Sequence, residues 1–103
     1  MKKIPHAGKC ADAPRAVNVD QILIVDNDPV FLALLAKFLK RDGYRVLTAR
    51  DGSVALKMLR SVRPDVILLD LVMPNVGGDR LCRMIREMDT AVRDAHIILV
   101  TAL

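Results

Sequence analysis

Three short, uninterrupted runs of branched apolar residues punctuate this chain: Ile22-Leu23-Ile24-Val25, Val66-Ile67-Leu68-Leu69 and Ile97-Ile98-Leu99-Val100. A strand with one wet face alternates apolar with polar residues. A run with no polar partner fits a strand covered on both faces, which is the habit of parallel sheets. Tyr44 to Ala49 reads as a further strand between the first two. Each consecutive pair of strands is separated by an amphipathic segment of helical period. The order β-α-β-α-β-α-β implies right-handed crossovers and a parallel α/β sheet with helices on both faces.

The helices carry their own start and stop signals. Asp28 suits an N-cap and Pro29 the first helical position, where no N–H is needed. Phe31, Leu34, Leu35, Phe38 and Leu39 then form an apolar stripe, with Lys37, Lys40 and Arg41 opposite and Gly43 as the left-handed stop. The second helix follows Arg50-Asp51-Gly52, has Val54, Ala55, Met58, Leu59 and Val62 on one face, and stops at Pro64. A loop containing Pro74, Gly77 and Gly78 opens the third, with Leu81, Met84, Ile85 and Met88 inward.

At 103 residues the chain fits one domain. Residues 1–20, broken by Pro5, Gly8 and Pro14 and without a period, read as a flexible tail before a domain over 21–103. Hydrophobic residues at 52% and charged residues at 27% exclude a disordered chain. The longest apolar run, Val30 to Ala36, is too short to cross a bilayer. Met1-Lys2-Lys3 is followed by Pro5, His6, Gly8 and Lys9 rather than by the apolar core of a secretory signal. Two cysteines, Cys10 and Cys82, make neither a disulfide scaffold nor a zinc site, and His6 and His96 have no partner at metal-ligand spacing. A reduced, cytoplasmic setting is expected. The net charge of +4 is spread: residues 1–20 carry four basic and two acidic groups, leaving twelve and ten of the total 16 and 12 for the rest. With 3% aromatics there is no base-stacking platform, so nucleic acid is not the expected partner.

Acids stand at the carboxyl ends of two apolar strands: Asp26 and Asp28 after the first, Asp70 at the end of the third. Open α/β sheets bind ligands at that rim. If the first and third strands are neighbours, the carboxylates converge on one crevice, and Thr101 ends the fourth strand at the same edge. Clustered carboxylates resist ionisation unless a cation joins them, and oxygen donors with several waters suit Mg²⁺. Asp28 reads equally as a helix cap, and Asp26 alone could start a turn. Asp70 is harder to explain structurally, because a strand end needs no acid. A dinucleotide site is excluded, since Asp26-Asn27-Asp28-Pro29 has no glycine and puts two acids where a pyrophosphate would sit. Gly77-Gly78 lacks the lysine and hydroxyl of a phosphate-binding loop and reads as a turn.

The run Ile22 to Pro29, the run Pro64-Asp65-Val66-Ile67-Leu68-Leu69-Asp70-Leu71-Val72-Met73-Pro74, Gly78 eight residues past Asp70, and Ile98-Leu99-Val100-Thr101-Ala102 together resemble the receiver domain of two-component response regulators, over about residues 21–103. The resemblance implies a flavodoxin-like sheet of order 2-1-3-4-5 and a phosphoacceptor at Asp70. It implies Mg²⁺ held by Asp26, the neighbouring Asn27, Asp70 and the Val72 carbonyl, with Asp28 a further candidate ligand. Thr101 would contact the phosphoryl group and report it to the surface. The donor would be a histidine kinase or phosphotransfer protein, and the chain would be no enzyme beyond its own phosphorylation and hydrolysis. Two features depart from the pattern. Asn27 stands where the family has a second acid, which weakens the expected cation site. No lysine follows Lys57 and the sequence ends after the fourth strand, so the expected sheet is partial, with that strand an exposed edge open to self-association. These departures leave a second reading: a degenerate, non-phosphorylated receiver that acts as a protein-interaction module.

Overall fold

The computed structural model describes residues 2–3, 18–71, 73, 77–88 and 95–100. In chain order the elements are β1 (Lys2–Lys3), β2 (Asn18–Val19), β3 (Gln21–Val25), α1 (Pro29–Arg41), β4 (Arg45–Ala49), α2 (Gly52–Met58), β5 (Val66–Asp70), α3 (Gly78–Arg86) and β6 (His96–Val100). Strands β3 to β6 form one parallel sheet of order β4-β3-β5-β6. The apolar runs on β3 and β5 take its two central places, where both faces are covered. Ile22 to Val25 are all buried, as are Val66, Ile67 and Leu69. β1 and β2 pair separately as an antiparallel ribbon. Val19 is fully buried, so the packed fold begins a little before Gln21.

The alternation of side chains along the strands divides the core in two. On one face Ile22, Ile24 and Val66 meet Leu32 and Ala36 of α1 and Tyr44. On the other, Leu23, Val25, Ile67 and Leu69 meet Ala55 and Leu59 of the α2 region and Leu81 and Ile85 of α3. Cys82 and Met88 pack at the edge of that second core, and Met73 is buried within it.

The helix α1 begins and ends where the sequence places it, but its packing face differs from the expected one. Leu32, Leu35, Ala36 and Leu39 face the sheet, whereas Phe31, Leu34 and Phe38 are exposed. Residues 30 to 36 are apolar without a break, so two stripes one residue apart are both present in the sequence. The stripe with Ala36 at its centre brings the helix closer to the sheet than one flanked by two phenylalanines. The helix α2 closes earlier than Pro64 requires. Arg60 N–H and Ser61 N–H bond to carbonyls three residues back, at Lys57 and Met58, which tightens the chain out of the helix. Val54, expected inward, is exposed, and Ala55 and Leu59 take the buried side. The apolar run of β6 alone fits a strand covered on both faces, but the expected partial sheet makes it an exposed edge, and the structure agrees with the latter: among the described residues β6 pairs only with β5, and Ile98 and Leu99 are each 44% exposed.

The end of the sheet away from the acids is tied by Asp65. Its Oδ2 accepts from the N–H groups of Asp20 and Gln21, at 2.9 and 3.0 Å. Its own N–H donates to Gln21 O and its carbonyl accepts from His96 N–H. An Arg45–Asp20 ion pair, at 2.6 Å and well exposed, lies beside it. One residue thus fixes the starts of β3, β5 and β6.

Candidate functional site

The parallel register sets Val25 opposite Leu69 and Ile67 opposite Ile97, so the strand ends arrive at one rim together. Asp26 follows β3 directly and Asp70 closes β5. The Asp26 N–H donates to Ala49 O at 3.1 Å, and the Leu71 N–H to Val100 O at 2.9 Å, which carries the ladder to the rim on both sides.

The Asp26 Oδ1 accepts from the Asp28 N–H at 2.9 Å. Asp70, at the end of the neighbouring strand, is near enough for its charge to act on Asp26. Burial raises the pKa of Asp26 most. The Asp28 N–H opposes that rise, and the negative charges of Asp70 and Asp28 add to it. Two carboxyl groups close enough to repel, with one resisting ionisation, is the electrostatic condition that a divalent cation relieves.

The structure divides the expected ligands. Asp28 is the N-cap of α1, and its Oδ1 accepts from Val30 N–H at 3.0 Å and Phe31 N–H at 3.3 Å. Asn27 is exposed at the rim. Val72 and Thr101 lie outside the described residues, as do Cys10, His6 and Pro74. Among the described residues no group of three or more His, Cys, Asp or Glu side chains is close enough to enclose a metal ion. The donor set in view is a pair of carboxyls rather than a cage, which is how Mg²⁺ is usually held, with waters in the remaining positions. His96, the first residue of β6, is exposed and distant in sequence from both acids.

A contact not anticipated from the sequence joins α3 to the end of β5. The Gly78 N–H donates to Leu71 O at 3.1 Å, and a Cβ at Gly78 would lie 2.4 Å from Asp70 O and 2.9 Å from Leu71 Cα. The sequence signal was the glycine pair itself, which reads as a turn. Here the second glycine is needed for close approach rather than for an unusual dihedral, since the one positive-φ glycine among the described residues is Gly43.

A parallel sheet of this order, with helices on both faces and acids at the carboxyl ends of its central strands, is a flavodoxin-like fold with its functional rim in the place that fold uses. Residues 22–103 match the model of the response regulator receiver domain, and the chain belongs to that family, the signalling domains of two-component systems. It is 41% identical over 81 residues to the transcriptional regulatory protein AfsQ1 of Streptomyces coelicolor, covering 79% of this chain and 34% of that protein. It is 38% identical over 78 residues to the CAI-1 autoinducer sensor kinase/phosphatase CqsS of Vibrio cholerae, covering 76% of this chain and 11% of that one. The structure of the response regulator protein TrrA from Thermotoga maritima, solved in complex with Mg²⁺-BeF, superposes with a TM-score of 0.74 at 38% identity, over 82% of this chain and 70% of that one. The chain therefore spans about a third of AfsQ1 and about a ninth of CqsS. No helix among the described residues is long and apolar enough to cross a membrane.

Proposed function

We propose that this receiver domain accepts a phosphoryl group on Asp70 from the phosphohistidine of a histidine kinase or phosphotransfer protein. The observation that carries the reading is the convergence of Asp26 and Asp70 at the adjoining ends of β3 and β5, close enough that the charge of Asp70 acts on Asp26. In the transfer an Asp70 carboxylate oxygen forms the new O–P bond, the P–N bond of the phosphohistidine breaks, and the imidazole leaves with that electron pair. Transfer of this kind depends chiefly on positioning and charge neutralisation. Asp26 and Asp70 would hold Mg²⁺, with Asn27 and the Val72 carbonyl as the further ligands the family pattern supplies. Bound there, the cation neutralises charge on the phosphoryl oxygens. Asp28 is committed to capping α1 and acts on the site through its charge and its N–H. Thr101 follows Val100, the register partner of Asp70, and would donate its hydroxyl to the phosphoryl group.

The signal leaves by protein contact. The same domain type occurs in a transcriptional regulator and in a sensor kinase, so the output belongs to whatever the domain is joined to or meets. A second copy of the chain would be one such partner, pairing along the outer edge of β6, which is open among the described residues. The reading is tested by beryllofluoride with Mg²⁺, a stand-in for the phosphoryl group. It should shift the amide resonances of Asp26, Asp70 and Leu71 in the unmodified chain and leave those of Asp70→Asn unmoved.

A further inference from the structure

We propose that Gly78 is a positioning residue for the acceptor: the first turn of α3 rests directly on the Asp70–Leu71 peptide and fixes where the Asp70 carboxylate points. The inference rests on Asp70 being the phosphoacceptor. Three observations carry it. A Cβ at Gly78 would lie 2.4 Å from Asp70 O, 2.9 Å from Leu71 Cα and 3.0 Å from the Asp70 carbonyl carbon. All three atoms are backbone, and they belong to the acceptor and its neighbour, so no side chain can swing aside to admit a methyl group. The Gly78 N–H also donates to Leu71 O at 3.1 Å, which ties the helix start to the chain just past the acceptor. Finally, α3 is held along the same face further on, with Leu81 and Ile85 fully buried against the sheet, so the helix cannot retreat without opening the core.

The adjacent glycine makes the comparison. A Cβ at Gly77 would come no nearer than 3.3 Å to the Asp79 side chain and 3.4 Å to Leu71 O. That is tight packing against a movable carboxylate and a single backbone oxygen. Steric pressure on the Asp70 backbone is therefore specific to position 78. A shift of the acceptor by even about 1 Å is enough to cost roughly a hundredfold in a reaction that depends on alignment.

The experiment measures the rate of phosphoryl incorporation from acetyl phosphate with Mg²⁺ in the full chain, in Gly78→Ala, in Gly77→Ala and in Ile22→Val. The last removes a methylene from the other core, away from α3. Gly78→Ala should incorporate phosphoryl on the order of a hundredfold more slowly, while Gly77→Ala and Ile22→Val stay within a few-fold of the unmodified chain at matched folded fraction. Equal rates in folded Gly78→Ala and the unmodified chain would overturn the positioning role. Should Gly78→Ala fail to fold, the unmodified chain decides. Beryllofluoride with Mg²⁺ should then slow hydrogen exchange at the Gly78 amide more than at the Met88 amide at the far end of α3, and equal slowing would overturn the inference. Absence of incorporation in the unmodified chain would instead remove the acceptor assignment, and is thereby distinguished from failure of the inference.

Discussion

Asp26 and Asp70 stand at the adjoining carboxyl ends of the two central strands, where the negative charge of Asp70 helps to raise the pKa of Asp26. Nothing in sheet formation calls for this. The two strands pair through their backbones, and their apolar side chains already fill both cores. Two like-charged groups held together are a liability for the folded state unless a cation or a proton joins them. The arrangement is thus better accounted for by binding than by stability, in line with the general cost of functional sites.

The first prediction concerns pH. The folded pKa of Asp26 lies above its unfolded value, through burial and the charges of Asp70 and Asp28. The folded state therefore binds the proton more tightly than the unfolded one. The stability this confers is present below the unfolded pKa and is lost as pH rises through the folded pKa. At neutral pH without metal, Asp26→Asn should melt at a higher temperature than the unmodified chain, and Mg²⁺ should stabilise only the latter. Calorimetry with and without Mg²⁺ checks both. A lower melting temperature for metal-free Asp26→Asn would show that the Asp28 N–H bond outweighs the repulsion.

The second prediction concerns position 27 and the proposed cation site. Asn27 is exposed at the rim and brings no charge. Asn27→Asp should tighten Mg²⁺ binding by about 1 kcal/mol, roughly fivefold in Kd. Titration followed by NMR measures it. Unchanged or weaker affinity would mean that this side chain points away from the acids.

At the opposite end of the sheet, Asp65 accepts from two backbone N–H groups at the start of β3. Asp65→Ala should cost about 1–2 kcal/mol of stability, since those donors lose a charged acceptor at a partly solvated position. Incorporation of phosphoryl at matched folded fraction should not change. Urea unfolding and the labelling rate together separate this structural role from one at the rim.

Self-association should proceed through β6. Its outer edge is open among the described residues, and Ile98 and Leu99 are both exposed there. Sedimentation at low micromolar concentration should show dimer for the 103-residue chain and monomer for Ile98→Lys, because a charge on an edge strand opposes pairing. A monomer in both cases would remove β6 as the contact.

How far the sequence reveals this fold depends on how many readings each pattern allows. β3 and β5 were legible because a short unbroken apolar run bounded by acids admits little else. The start of α1 was legible because Asp28-Pro29 carries its own chemistry, borne out by the two N–H bonds to Asp28. The face of α1 was not, since seven consecutive apolar residues fit two stripes and only the shape of the sheet chooses Leu32 and Ala36 over Phe31 and Phe38. The apolar run of β6 does not by itself state its place, but the order of the strands does, and Ile98 and Leu99 are exposed as the expected edge position requires. At the site, the meeting of Asp26 with Asp70 followed from strand adjacency. The approach of Gly78 to Asp70 was hidden, because a distance between two backbones leaves no mark in composition beyond a glycine that a turn would equally explain.

Mass spectrometry after incubation with acetyl phosphate and Mg²⁺ tests the central claim most directly. The unmodified chain should gain the mass of one phosphoryl group, lost on base treatment as an acyl phosphate is, and Asp70→Asn should gain none. Labelling that persists in Asp70→Asn, or an unmodified chain that takes up no phosphoryl group while folded and supplied with Mg²⁺, would contradict the account and leave a receiver that acts through contact alone.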